Sequence, residues 1–209
     1  MRVVSVVGFL GSGKTTSIAA LARHLTSQRQ RVAFLINDVG EVQRDGAVIR
    51  AGGHEVVEIY GGCLCLMRDD LYQGLAELAQ IPDLGWVIIE PSGMADAERM
   101  SRLLERFPRI LDAASAAQYH LQCRLSIVDA VRYRLLMRSV PHLIRASVRV
   151  ADVVLLNKVD AAKTSDIDAI EADVRKNMKP TAVLRRVSAK DELAAPVIRD
   201  VLGMAVQHV

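Results

Sequence analysis

The octapeptide Gly8-Phe9-Leu10-Gly11-Ser12-Gly13-Lys14-Thr15 constrains this chain more than any other feature, because it follows the apolar run Val3 to Val7 and opens a segment of helical period. It has the G-x-x-x-x-G-K-[ST] form in the strand–turn–helix setting that form requires. Gly8, Gly11 and Gly13, with Ser12 between them, let the backbone wrap phosphate oxygens and aim N–H groups at them, and the helix N-terminus adds partial positive charge. Lys14 is expected to reach β- and γ-phosphates. The Thr15 hydroxyl is expected to bind Mg²⁺, with Thr16 beside it in the nucleotide site.

The rest of the chain repeats the same alternation. Runs rich in Val and Ile stand at Val3 to Val7, Val32 to Ile36, Val56 to Tyr60, Trp86 to Ile89, Leu125 to Val128, Val153 to Leu156 and Ala182 to Val187. Continuous apolar runs of this length suit strands buried on both faces. Between them the spacing predicts helices at Thr15 to Thr26, Asp69 to Ala79, Asp96 to Phe107, Val140 to Val150, Ser165 to Asn177 and Asp191 to Met204. The Ala-rich stretch Asp112 to Gln118 carries no clear period. With 209 residues, 51% of them apolar, this order predicts one α/β domain over residues 1–209. Its expected architecture is a three-layer P-loop fold around a mainly parallel sheet.

Several function classes are disfavoured. No apolar run approaches the roughly 20 residues a membrane helix needs, and the apolar start is cut by Gly11 to Lys14 before it could serve as a signal peptide. Three cysteines cannot pair evenly, so reduced thiols and a cytoplasmic protein are expected. A net charge of +3, without basic clusters interleaved with aromatics, gives no nucleic-acid groove. Arg132, Arg134, Arg138, Arg145 and Arg149 read as the wet face of a helical segment.

Asn157-Lys158-Val159-Asp160 follows the run Val153 to Leu156 and has the N-K-x-D form that reads guanine. The Asp160 carboxylate can accept from the guanine N1–H and 2-amino group, whereas adenine offers neither donor. Leaving such a carboxylate unpaired costs at least about 1–3 kcal/mol, so GTP and GDP are expected over adenine nucleotides. Ser188-Ala189-Lys190 resembles the loop whose backbone N–H meets guanine O6. Glu90-Pro91-Ser92-Gly93 places a carboxylate at a strand end, suited to hold a Mg²⁺ water, and puts the Gly93 N–H near the γ-phosphate. Asn37-Asp38-Val39-Gly40-Glu41 ends the second strand, with Asp38 placed to hold Mg²⁺ or orient the attacking water. Lys14, Asp38 and Glu90 are thus the residues expected to act in hydrolysis.

Taken together, GFLGSGKTT, NDVGEV, GGCLC, EPSG, SIVDA at Ser126 to Ala130 and ADVVLLNKVD resemble the CobW-like GTPases, relatives of the nickel-chaperone GTPases of hydrogenase and urease maturation. The resemblance covers nearly the whole chain and implies GTP hydrolysis coupled to handling a transition metal or metallocofactor. The sequence departs from the family's pattern in three places. Leu66 stands where C-x-C-C would put a third cysteine. Pro91 replaces a hydroxyl or thiol in E-[TC]-[TS]-G. The sequence ends soon after Met204, where most of the family continues into a second domain.

Cys63 and Cys65, two apart in an extended segment, would face one side and converge on one ion, though they can also be read as two small core residues. Glu41, at an acidic position of the family, is a candidate third ligand; a partner subunit supplying its own pair is the alternative, which would make a homodimer. Sulfur ligands favour Zn²⁺, with Co²⁺ and Ni²⁺ also suited. Cys123 reads as core and His54 as a surface residue. The resulting expectation is a slow GTPase that loads or serves a client metalloprotein. Its alternative is an activator of a client cofactor protein, such as a corrinoid protein, that carries no metal itself. Turnover is expected to be slow because no residue reads as an arginine finger, an element worth about 10³–10⁵ in rate.

Overall fold

Residues two apart in a strand share a face, and in this chain both faces are apolar, so the sheet must be covered by helices on either side. The computed structural model describes residues 1–37, 55–59, 62–190 and 193–203. Among them lie β1 (Arg2–Val7), β2 (Val32–Asn37), β3 (Glu55–Ile59), β4 (Trp86–Glu90), β5 (His120–Asp129), β6 (Val153–Asn157) and β7 (Val183–Arg186). They form one sheet in the order β3-β2-β4-β1-β5-β6-β7, and every neighbouring pair is parallel.

Alternate residues feed two cores. Val4, Val6, Phe34, Ile36, Trp86 and Ile88 pack with Ile18, Leu21 and Leu25 of α1 (Lys14–Ser27) and with Val201 and Leu202 of α8 (Ala195–Leu202). Val3, Leu35, Val87 and Ile89 pack instead with Leu71, Leu75 and Leu78 of α2 (Arg68–Ala79) and Met100 and Leu104 of α3 (Ala97–Arg106). Further along that second face, Val154 and Leu156 meet α5 (Tyr133–Ser139), α6 (Pro141–Val150) and α7 (Thr164–Arg175). Each such Val, Leu or Ile contributes about 1.5–3 kcal/mol by leaving water. The result is the three-layer α/β P-loop fold.

Four elements differ from the sequence expectation, one of them α5 (Tyr133–Ser139), which no predicted helix covers. β5 starts at His120, five residues before Leu125, because the polar Arg124 is accommodated: its backbone N–H and guanidinium both bond Asp152 and its Nε bonds Ser101. The Ala-rich stretch contains the short helix α4 (Ala113–Gln118), with Asp112 accepting from the Ser115 N–H and hydroxyl at its start. α8 begins only at Ala195, with proline in its first turn, and ends at Gly203, whose left-handed φ of 63° closes the helix. No helix among the described residues is long and apolar enough to cross a membrane.

Because all seven strands run the same way, the residues that follow them gather along one edge of the sheet. That edge receives Gly8, Asn37, Glu90, Asp129, Asn157 and Val187, drawn from segments nearly 180 residues apart in sequence.

Candidate nucleotide-binding site

β1 passes into α1 through Gly8 to Gly13, the residue before the helix having φ 102°. A Cβ there would sit 2.2 Å from Asn157 Nδ2, so only glycine fits. Asn157 is the hub of the site. Its Nδ2 donates to the Ser12 carbonyl at 2.8 Å, and its Oδ1 accepts from the N–H groups of Lys158 and Ala189, both at 2.8 Å. One buried amide therefore ties the phosphate loop to both base-side loops.

These segments enclose a cavity of about 350 Å³ lined by Gly13, Thr16, Asn157, Lys158, Asp160, Ala161 and Ser188 to Lys190. Sequence reasoning drew these site residues from three separate motifs, and the fold brings them to one place. Asp160 is bonded by Lys190 Nζ at 2.5 Å and by the Ser188 hydroxyl, which together hold its carboxyl below the usual carboxylate range. Keeping Asp160 ionised preserves an acceptor for a base edge. The Ala189 N–H, expected to face guanine O6, is engaged by Asn157 here, so it would be shared with or transferred to a base.

At the phosphate end, Lys14 and Glu90 are both buried and lie 3.7 Å apart, and the Thr15 hydroxyl donates to the Glu90 carboxylate at 3.2 Å. A carboxylate and a hydroxyl side by side are hard oxygen donors of the kind Mg²⁺ takes, and the ion would supply charge neutralisation for phosphate oxygens. Ser12 Oγ, also buried, has no hydrogen-bond partner among the described residues, so it could donate to a phosphate oxygen. Gly93 lies directly against the loop: a Cβ on it would approach the Leu10 N to 2.6 Å. Asp38 and Glu41 lie outside the described residues, as does His54.

The cysteine segment differs from expectation in two ways. Residues 62–67 form turns, with Leu66 N–H donating to the Cys63 carbonyl and Met67 N–H to that of Leu64, so strand alternation does not apply. Cys63 and Cys65 nevertheless converge, because the turn brings their Cα atoms to 5.3 Å, within disulfide range, and they are joined as a disulfide rather than standing as two free thiols. Asn37 holds this turn. It donates to the carbonyls of Ile59 and Gly62 at 3.0 and 2.8 Å and accepts from the Leu64 N–H at 2.8 Å. Among the described residues, no group of three His, Cys, Asp or Glu side chains is placed to hold a metal ion. Cys123 is core as expected, and burial pushes its thiol up to about 12.

Sequence reasoning missed two residues. Arg132 was grouped with four arginines on a wet helical face. Arg134, Arg138, Arg145 and Arg149 are indeed exposed, but Arg132 precedes α5 and donates to the Leu10 carbonyl at 2.5 Å. It does so from Asp129, whose side chain is fully buried and also binds Lys158. The only signal in the sequence was Asp129 within SIVDA.

A strand, phosphate loop and helix at the edge of a parallel sheet define a P-loop nucleoside-triphosphate-binding protein. The CobW/HypB/UreG nucleotide-binding domain matches residues 2–185, and the chain belongs to that family. It is 32% identical over 178 residues to the zinc chaperone YeiR of Escherichia coli, covering 81% of this chain and 50% of that protein. To the zinc chaperone CobW of a Sinorhizobium species it is 29% identical over 229 residues, covering 96% and 62%. The chain thus spans between half and two thirds of the length of these relatives. Its fold is like that of the hydrogenase maturation factor HypB from Archaeoglobus fulgidus, with a TM-score of 0.62 at 19% identity over 91% of this chain and 82% of that one.

Proposed function

We propose that residues 1–209 form one domain that binds GTP with Mg²⁺, hydrolyses it slowly, and couples its nucleotide state to delivery of a transition metal or to a client metalloprotein. The observation that carries the guanine reading is the convergence of Asp160, Ser188 to Lys190 and Gly13 on one cavity through Asn157. The metal part draws on relatives named as zinc chaperones and on Cys63 and Cys65, whose thiols, once reduced, lie close enough to converge on one ion. Lys14, Glu90 and Thr15 act at the phosphates and Mg²⁺, with Gly93 reporting the γ-phosphate. Calorimetric titration with GTP and ATP in equal Mg²⁺ tests the base preference. Comparable affinities would refute it.

In this scheme Lys14→Ala loses a charged donor to phosphate, a hydrogen bond worth about 1.5–3 kcal/mol, so GTP affinity should fall roughly ten- to hundredfold and turnover with it. Unaltered turnover in protein free of contaminating GTPase would place the active site elsewhere.

A second reading, an activator of a client cofactor protein that carries no metal, is favoured by Leu66, which stands where a third cysteine would complete the set. Metal analysis of the reduced protein separates the two. The metal carrier is expected to bind one Zn²⁺ per chain, or one per two chains if four sulfurs are shared, with affinity that differs between GTP and GDP states. Cys63→Ser with Cys65→Ser should remove that ion and leave guanine binding intact. Metal retained by the double variant, or affinity equal in both nucleotide states, would favour the activator.

A further inference from the structure

We infer that Asp129 and Arg132 are positioning residues of the phosphate loop, extending the nucleotide site beyond the Asn157 to Asp160 motif to the turn that closes β5. The inference rests on the phosphate-binding part of the function proposed above.

Three consecutive carbonyls of the loop are held by side-chain donors. Leu10 receives Arg132 Nη2 at 2.5 Å, Gly11 receives Lys158 Nζ at 2.6 Å, and Ser12 receives Asn157 Nδ2 at 2.8 Å. Two of these donors belong to the N-K-x-D motif. The first does not. Behind both cations stands one carboxylate: Asp129 Oδ2 accepts from Arg132 Nε and Lys158 Nζ, each at 2.8 Å, while Oδ1 accepts the N–H groups of Val131 and Arg132. Burial alone would push this carboxyl up, but the bonds from Lys158 and Arg132 outweigh it and hold the group below its ordinary value. A fully buried carboxylate needs such partners, and the fold supplies them so that the free arms of both reach the loop.

The consequence for phosphate binding follows from peptide geometry. In a trans peptide the C=O and the following N–H point in opposite directions. Pinning the Leu10 carbonyl therefore fixes which way the Gly11 N–H points. Gly11, at φ 68°, would otherwise let that peptide rotate at little cost. Arg132 removes the freedom that the glycine introduces, so the loop meets an anion already organised. Gly93 rests against the N and Cα of the same Leu10 whose carbonyl Arg132 holds, so the segment after β4 and Arg132 meet the loop at one residue.

The test compares the whole native chain with Arg132→Met, Arg132→Lys and Asp129→Asn, by titration with GDP, a non-hydrolysable GTP analogue and the matching adenine nucleotides in Mg²⁺. Loss of one charged hydrogen bond in Arg132→Met should raise the dissociation constants of GDP and the GTP analogue about tenfold. The guanine-to-adenine affinity ratio should not change, because Asp160 is untouched, while the nucleotide-free melting temperature should fall, since Asp129 loses one of its two cations and keeps Lys158 and two N–H donors. Arg132→Lys should recover part of the loss, and Asp129→Asn should lose more than Arg132→Met, since Lys158 loosens too. Native affinities in Arg132→Met would overturn the inference. So would a weakening that tracks a lower melting temperature with no rescue by lysine. A native chain that prefers adenine nucleotides would defeat the guanine reading instead, and the Arg132 comparison would then be read with ATP.

Discussion

Gly13→Ala is expected to leave no measurable binding of GTP or GDP at millimolar concentration. The alanine Cβ would lie 2.2 Å from Asn157 Nδ2, on a backbone at φ 102° that side-chain-bearing residues rarely adopt. Asn157 has nowhere to go without surrendering its bonds to Ser12, Lys158 and Ala189, so the phosphate loop and the base-side loops would come apart together. Breaking a buried network of this kind costs several kcal/mol, and part of it should appear as a lowered melting temperature. Titration calorimetry beside a thermal melt gives the result. Native-like GTP affinity in this variant would mean that the loop does not carry the phosphates.

The second large effect is a change of base preference. Asp160→Asn replaces an acceptor of two guanine donors by an amide whose N–H₂ would face the 2-amino group, and GTP affinity should fall roughly a hundredfold or more. Xanthosine triphosphate carries a 2-oxo group in that place and should bind the variant better than GTP. Asp160 lies at the rim of the cavity with Lys190 and Ser188 as its partners, so the substitution leaves the core untouched and the melt should barely move. Measuring both nucleotides on both proteins decides the matter. Absence of the swap would show that the base is read by other groups.

Much of the site was legible because its motifs are local. G-x-x-x-x-G-K-T encodes its own geometry: glycines where the backbone must turn tightly, a lysine and a hydroxyl at the head of a helix. Apolar runs placed the strands to within a few residues, since strands covered on both faces can hardly be written any other way. β5 was legible only in its second half, because Gln122 and Arg124 break the apolar run while the strand continues through them on bonds to Asp152. The helix α5 carries a short apolar pair, Tyr133 and Leu136, too brief for its period to stand out from its charged residues.

The cysteine turn and Arg132 mark the limit of such reasoning. Alternation applies to extended chain, and the turns at 62–67 are held by Asn37 from the end of β2, a partner more than 20 residues away. Arg132 looks like its four exposed neighbours in sequence; only the adjacency of β5 to β1 sets its guanidinium over Leu10.

The sequence by itself determined the P-loop class, the strand order along the chain and the motifs whose residues the fold gathers at one cavity, because each depends on residue types at fixed short spacing. Tertiary structure alone decided that Asn157 joins three loops, that Asp129 binds two cations aimed at the phosphate loop, and that Cys63 and Cys65 meet as a disulfide in a turn. Those contacts depend on which strands lie side by side and where they end, and a parallel sheet gathers at one edge residues that the chain keeps far apart.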